Sequence, residues 1–125
     1  MKIPAGYQTV MPYLILQDAR SFKEFVTNVF NAEIKMENFN EDGTPNHSEI
    51  CIGESTIMFS NTTDQYSIAT ANMFVFVPDA DVAFAKALEN GASVVNELRD
   101  LEYGRSGGVE DPNGNVWWIT AAPAE

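Results

Sequence analysis

The sequence predicts an α+β protein made of two βαβββ modules, each with a curved mixed sheet and a helix on its outer face. Three observations predict this. An apolar run followed by an Asp-Ala step occurs twice, at residues 16–19 and 77–80. A helix-like stretch and a small-residue joint follow each time, and each half closes on a glycine turn before an apolar strand. Repeats of this size are typical of a supersecondary unit that stacks on its copy.

The first module is expected at about residues 8–61. Residues 10–16 predict a strand, and Asp18 is placed to cap the helix that follows. Apolar residues then recur at spacings of three and four, the pattern of a helix packed on a sheet; they are Phe22, Phe25, Val26, Val29 and Phe30. Three strands are expected after the helix, at residues 32–37, 46–52 and 55–60.

A polar connector at residues 62–70 leads to the second module, at about residues 71–122, within a single domain spanning 1–125. Residues 73–77 are apolar throughout, which predicts a strand covered on both faces. Asp79 is expected to cap the second helix, and the glycine-rich residues 103–108 are expected to form a loop. The remaining strands are expected at residues 94–98, 107–110 and 116–120.

Composition narrows the range of functions. The formal net charge of −11 argues against a nucleic-acid partner, because phosphates must be met by clustered Lys and Arg. The acidity either attracts cationic small molecules or simply gives a solvated acidic surface. The single cysteine, Cys51, permits no intramolecular disulfide. We find neither a signal peptide nor an apolar stretch long enough to span a bilayer. These features predict a cytoplasmic protein with no membrane partner.

Several segments resemble one protein family. The turn at residues 111–115 and the apolar 117–119 that follow resemble the glyoxalase/bleomycin-resistance/dioxygenase superfamily, which has the vicinal-oxygen-chelate fold. Residues 105–112, with 12–14 and 47–49, are similar to its glyoxalase-like branch, often labelled demethylubiquinone methyltransferase-like. The resemblance implies two modules around a cup-shaped pocket and a twofold homodimer.

The family's metal-dependent enzymes hold a divalent ion with His, Gln and Glu side chains. The resemblance places those positions on Met11, Met58, Asn72 (or Met73 if the register slips by one) and Trp118. Thioether sulfur and indole do not replace imidazole and carboxylate as ligands. A site built from His47 and Glu49 would have too few ligands, and the acidic residues show no metal-binding spacing. We therefore predict no metal and no cofactor.

The same register predicts a ligand-binding cup. Met11, Tyr13, Met58 and Trp118 are expected to face inward, where they would stack on a flat or cationic ligand. The alternative is that these side chains simply fill a closed core. Trp117, on the opposite face of the last strand, is expected to pack under a helix.

Three polar side chains are further candidates for ligand binding or catalysis. His47 either contacts a ligand in the cup or is a structural histidine at its rim. Glu49 lies on the same strand face and is expected to orient the imidazole only indirectly. Arg105 either pairs with a ligand anion or forms a surface salt bridge. The sequence shows no nucleophile, base and orienting acid together.

Three functions remain open. The favoured one is a metal-free small-molecule-binding protein, because the metal-ligand positions carry the wrong residue types. The second is a divergent metal-dependent lyase, isomerase or dioxygenase of the same superfamily. The third is a structural or regulatory dimer whose cup is filled by its own side chains.

Overall fold

The computed structural model describes residues 1–124 and has the predicted α+β architecture. Its elements follow one another in the order β1 (Tyr13–Leu16), α1 (Ala19–Phe30), β2 (Glu33–Phe39), β3 (Pro45–Ile52), β4 (Ser55–Asn61), β5 (Asn72–Phe76), α2 (Ala80–Glu89), β6 (Ser93–Leu101), β7 (Gly104–Glu110) and β8 (Val116–Ala121). The chain therefore contains the βαβββ unit twice, as the repeat predicts.

The strands form two separate four-stranded sheets. Sheet 1 has the order β1-β4-β3-β2, and sheet 2 has the equivalent order β5-β8-β7-β6. In each sheet the first and last strands of the module are parallel, and the other pairs are antiparallel. β1 begins at Tyr13 rather than at residue 10, because Pro12 has no N–H with which to extend the strand pairing. Only the Pro12 carbonyl takes part, and it accepts from Met58 N–H at 3.0 Å.

Both predicted helix caps are present. The Asp18 carboxylate accepts from the Ser21 amide at 3.2 Å, and the Asp79 carboxylate accepts from the Val82 amide at 3.2 Å. Each bond satisfies a first-turn donor that has no partner within the helix. Within residues 1–124, neither helix is long and apolar enough to cross a membrane.

One hydrophobic core joins the two modules. α1 packs on sheet 1 and also reaches sheet 2, where the Phe22 and Phe30 rings lie 6.4 and 4.7 Å from the Trp117 ring, centre to centre. Trp117 is only 1% exposed, which confirms that it packs under a helix. Because neighbouring residues on a strand point to opposite faces, Trp118 lies on the other side of sheet 2. We call the faces turned away from this core the first open face (sheet 1) and the second open face (sheet 2).

The turn at residues 111–115 ties the modules together. The Asp111 carboxylate is buried and accepts from the backbone amides of Asn113 and Asn115 and from the Trp117 indole N–H, at 2.8–3.0 Å. The Asn113 side chain in turn accepts from Asp18 N–H and donates to its carbonyl. The turn of the second module therefore holds the start of α1 in the first.

Two sequence expectations are wrong. β5 is not covered on both faces, since Phe74 and Phe76 are 51% and 65% exposed on the second open face. Residues 104–108 are not a loop but part of β7, which pairs with both β6 and β8. Its glycines make room for rings: a Cβ on Gly107 would lie 2.9 Å from Phe84, and one on Gly108 would lie 2.5 Å from Trp118.

Candidate functional site

The first open face gathers several of the candidate residues. Tyr13 of β1 and Glu49 of β3 both stand opposite Met58 of β4 in the sheet register, so the three side chains share one face. His47 joins them from β3, two residues before Glu49. The sequence therefore brings a phenol, an imidazole, a carboxylate and a thioether to one surface.

Four of the polar side chains on this face form a continuous hydrogen-bonded chain. The Tyr13 phenol lies 3.0 Å from His47 Nδ1, and His47 Nε2 lies 2.7 Å from Glu49 Oε2. The other carboxylate oxygen of Glu49 accepts from the Tyr7 phenol at 2.5 Å. We name these residues (Tyr7, Tyr13, His47 and Glu49) the tyrosine–histidine chain.

The expectation that Glu49 orients the imidazole only indirectly is wrong. Side chains two apart on a strand start about 6.6 Å from each other, and the long Glu49 and His47 side chains bend together across that gap to a direct contact of 2.7 Å. Nothing in the sequence indicates that Tyr7 contacts Glu49. Tyr7 lies outside the helices and strands and reaches this face from the N-terminal segment.

The surroundings of Glu49 keep its carboxyl group ionised. Glu49 is only 4% exposed, and this burial by itself raises the pKa of its carboxyl group. Hydrogen bonds from Tyr7 and His47, with the charges of His47 and Lys35, outweigh burial, so that the pKa lies below its ordinary value. The hydrogen bond to Glu49 in turn raises the pKa of the Tyr7 phenol.

Tyr13 opens the tyrosine–histidine chain to solvent. Its side chain is 47% exposed and lines a cleft of about 770 Å³, which we call the first cleft. The cleft lies between the first open face and the connector, and its walls carry mostly polar and aromatic groups. They are Tyr13, Ile15, Asn40, Asn46, Ser60, Asn61, Thr63, Asp64, Gln65 and Tyr66. The volume suits a small organic molecule.

The second open face is aromatic. Trp118 lies over Gly108 and donates its indole N–H to the Asn72 side chain at 3.2 Å. The Phe74 ring lies 5.1 Å from that of Phe76 and 6.2 Å from that of Tyr103, centre to centre. We call Phe74, Phe76, Tyr103 and Trp118 the aromatic patch. Because side chains alternate in direction along a strand, Phe74 and Phe76 share one face of β5, but nothing in the sequence points to Tyr103.

The remaining candidates lie elsewhere. Met11 precedes β1 and belongs to no strand. Arg105 is held by two carboxylates, with Asp81 accepting from Nε and Nη2 at 2.9 and 3.1 Å and Asp100 accepting from Nη1 at 3.3 Å. These bonds raise the pKa of the guanidinium. Of the two alternatives for Arg105, the structure shows the surface salt bridge.

Comparison with known proteins identifies the family. The model of the Glyoxalase/Bleomycin resistance protein/Dioxygenase superfamily matches residues 8–119. The chain belongs to this superfamily. The match spans both modules and therefore includes both open faces.

Relatives of this superfamily member support the same assignment. An uncharacterised protein of Mycobacterium bovis is 30% identical over 118 residues, covering 85% of this chain and 78% of that protein. TioX from Micromonospora sp. ML1 has a TM-score of 0.72 at 22% identity, over 94% of this chain and 98% of that one. TnmS3, an antibiotic-binding protein from Streptomyces sp. CB03234, has a TM-score of 0.72 at 15% identity, over 98% and 99%. These solved structures confirm the superfamily fold.

The residues of this superfamily member do not fit the divalent ion that the fold implies. The expected register is corrected by the structure: Met58 stands opposite Tyr13 rather than Met11, and Trp118 stands opposite Phe74 rather than Asn72 or Met73. Phenol, thioether and ring carbons are not the imidazole and carboxylate donors of such sites. In the part of the chain that the structure describes, no group of three or more His, Cys, Asp or Glu side chains is placed to hold a metal.

Proposed function

We propose that this superfamily member is a metal-free protein that binds flat aromatic or cationic small molecules between its open faces. The observation that carries the proposal is the aromatic patch. Three of its members, Phe74, Phe76 and Tyr103, are each more than half exposed. Burial of such large apolar side chains is favourable, so exposure of three of them together is typical of a binding surface. A ligand that stacks on these rings would supply the missing contact.

The chemistry of the two faces fits such ligands. The rings of the aromatic patch offer stacking and cation–π contacts, each of the latter contributing about 0.5–2 kcal/mol. Met58 on the first open face adds an adaptable apolar contact. The net charge of −11 raises the local concentration of cations, which favours positively charged ligands. TnmS3, which has the same fold, is an antibiotic-binding protein, and this supports an organic small molecule as the ligand.

We further propose that the binding site is completed in a homodimer. Within one chain, both open faces point away from the shared core, so each forms only half of a cup. If the first open face of one copy meets the second open face of another, Tyr13 and Trp118 come to opposite walls of one pocket. Twofold symmetry then forms the same pocket twice. This arrangement also covers Phe74 and Phe76.

Calorimetric titration with two flat dyes tests the proposed ligand class. We expect proflavine, an aromatic cation, to bind more tightly than anthraquinone-2-sulfonate, an aromatic anion, because the protein is acidic. The preference should shrink as salt is added, since salt screens the protein's charge. Trp118→Ala should weaken proflavine binding at least tenfold.

The matched control is Val94→Ala, which shortens an exposed apolar side chain on β6. Val94 is paired with the buried Val109, so it lies on the face opposite the aromatic patch. We expect this variant to bind proflavine as the native protein does. Equal loss in both variants, or no binding of either dye to the native protein, contradicts the proposal. The latter result would favour the dimer with a filled cup.

A further inference from the structure

The tyrosine–histidine chain connects a buried charge to an open cleft. Glu49, at its inner end, is 4% exposed, whereas Tyr13, at its outer end, is 47% exposed and lines the first cleft. His47 contacts both, at 2.7 and 3.0 Å. A carboxylate, an imidazole and a hydroxyl in this order form the arrangement in which a carboxylate orients a base toward a reacting hydroxyl.

The contacts determine where the protons lie. An ionised Glu49 can only accept hydrogen bonds, so in neutral His47 the proton is on Nε2, which faces the carboxylate. Nδ1 is then an acceptor, and the Tyr13 phenol donates to it. The Tyr13 phenol therefore donates its own proton to His47 Nδ1. Its oxygen keeps a free lone pair that can accept a proton from a molecule in the first cleft.

We infer that Tyr13, His47 and Glu49 form a metal-free acid–base site that takes a proton from a ligand bound in the first cleft. The ligand's acidic C–H, N–H or O–H proton moves to Tyr13 Oη while the phenol proton moves to His47 Nδ1. The electron pair of the broken bond stays on the ligand. The resulting imidazolium is stabilised by the Glu49 carboxylate, and reversal of the same steps returns the proton.

Each residue has a distinct role in this site. Tyr13 is the group that touches the ligand, and His47 receives the proton through it. Glu49 is a positioning residue that fixes the tautomer and stabilises the imidazolium. The inference rests on the proposed ligand-binding function, because the transfer requires a molecule held beside Tyr13.

Few other charged groups face this array. The N-terminal segment contributes Tyr7. The Lys35 ammonium nitrogen of β2 lies over the Tyr7 ring, 3.8 Å from the ring centre. Opposite His47, β2 places the uncharged Asn38. β4 supplies the uncharged Met58 and Ser60 beside Tyr13 and Ile15 of β1. The connector contributes the Asp64 carboxyl to the lining of the first cleft.

The first test uses the single histidine of the chain. Because His47 is the only histidine, its imidazole ¹⁵N resonances are identified without assignment. We expect the neutral ring to show a protonated Nε2 and an unprotonated Nδ1 in the native protein. A ring protonated on Nδ1 would overturn the inference, whatever the activity of the protein.

The second test measures proton abstraction from 5-nitrobenzisoxazole, a flat aromatic compound. Loss of its ring C–H proton breaks the N–O bond and gives a coloured phenolate, with no other reactant. We expect His47→Gln and Tyr13→Phe each to lower kcat/KM at least tenfold, because a positioned base contributes about 10²–10⁴-fold. Val94→Ala, on the inner face of sheet 2 and away from the first cleft, should leave kcat/KM unchanged.

The role of Glu49 is tested by the tautomer of His47. In Glu49→Gln the side-chain amide can donate to Nε2, so the imidazole proton is no longer held there by a group that can only accept. We expect Glu49→Gln to lower kcat and its neutral ring to show protonation on Nδ1 in the ¹⁵N spectrum. A Glu49→Gln ring with the native ¹⁵N pattern would show that Glu49 supports the site only structurally, and would overturn its assigned role.

Binding of an unreactive analogue separates the two proposals. 5-Nitrobenzimidazole has a similar flat shape and does not undergo the elimination. Calorimetric binding of this analogue, combined with equal rates for the native protein, His47→Gln and Tyr13→Phe, would overturn the acid–base inference alone. If the analogue does not bind and the native protein does not react, both the inference and the binding of flat aromatic ligands are contradicted.

Discussion

At the scale of single residues, Asp111 is the clearest case of a polar side chain used for stability. Its carboxylate is 3% exposed and collects donors from Asn113, Asn115 and the Trp117 indole. A buried carboxylate persists only where such donors replace water. The turn that most resembles the superfamily motif therefore stabilises the junction of the modules.

Replacement of Asp111 should destabilise the protein strongly. Asp111→Ala leaves several buried N–H groups without an acceptor, each costing about 1–3 kcal/mol. We expect the free energy of unfolding, measured by urea denaturation and circular dichroism, to fall by about 3 kcal/mol or more. Asp64→Ala, which removes an exposed carboxylate from the connector, should change it by less than about 0.5 kcal/mol. Similar losses in the two variants would contradict the structural role of Asp111.

The candidate site could be predicted in part. Alternation along β3 places His47 and Glu49 on one face, which the sequence shows directly. Their contact depends on how two long side chains bend, and Tyr7 and Tyr13 reach them from segments about 40 residues away in sequence. Such distant contacts have no local signal, so the tyrosine–histidine chain was visible only in the folded protein.

At the scale of elements, local patterns predicted both helices and most strands. The Asp18 and Asp79 caps and the apolar stripe of α1 are short-range features, and they appear where expected. The apolar run of β5 shows no polar alternation, so the sequence does not reveal that one of its faces is exposed. The glycines of β7 predict a loop, because glycines usually mark turns, although these residues form a strand. The reason for Gly108 lies in Trp118 on the neighbouring strand, which rests where a side chain would be.

Gly108 should be sensitive to the smallest substitution. In Gly108→Ala the new methyl group would lie 2.5 Å from the Trp118 ring, so the indole must move off the second open face. We expect overpacking to cost about 1–3 kcal/mol in the free energy of unfolding, and proflavine binding to weaken at least fivefold in calorimetric titration.

The control for Gly108 is Gly43→Ala, in the turn between β2 and β3. A Cβ there meets nothing within 4 Å, but the φ angle of +87° makes alanine unfavourable. This variant should lose about 1 kcal/mol and bind proflavine normally. If Gly108→Ala binds the dye as well as Gly43→Ala does, Trp118 is not part of the binding surface.

At the scale of the whole molecule, the shared core explains why the open faces are exposed. α1 lies against sheet 1 and contacts Trp117 of sheet 2, so the helices and the inner faces of both sheets bury one another. The aromatic patch is left outside that core. In a protein of net charge −11, an exposed apolar patch of this kind is typical of a surface that binds a partner or ligand, as proposed above.

The proposed dimer gives a direct prediction for light scattering coupled to size exclusion. The native protein should elute with twice the 13.8 kDa mass of one chain. Phe74→Ser with Phe76→Ser should shift it toward one chain mass, because a polar patch no longer favours burial. Val94→Ser, on the opposite face, should remain dimeric. A native protein of one chain mass at micromolar concentration would contradict the dimer.

The two adjacent indoles give the protein a built-in pair of optical reporters. Trp117 is buried in the shared core and donates its indole N–H to Asp111. We therefore expect its fluorescence at short wavelength and little quenching of it by acrylamide. Trp118 stands on the second open face, where a quencher or a stacked dye can reach it. Loss of the accessible emission alone therefore signals occupancy, whereas a red shift of the protected emission signals loss of the native fold.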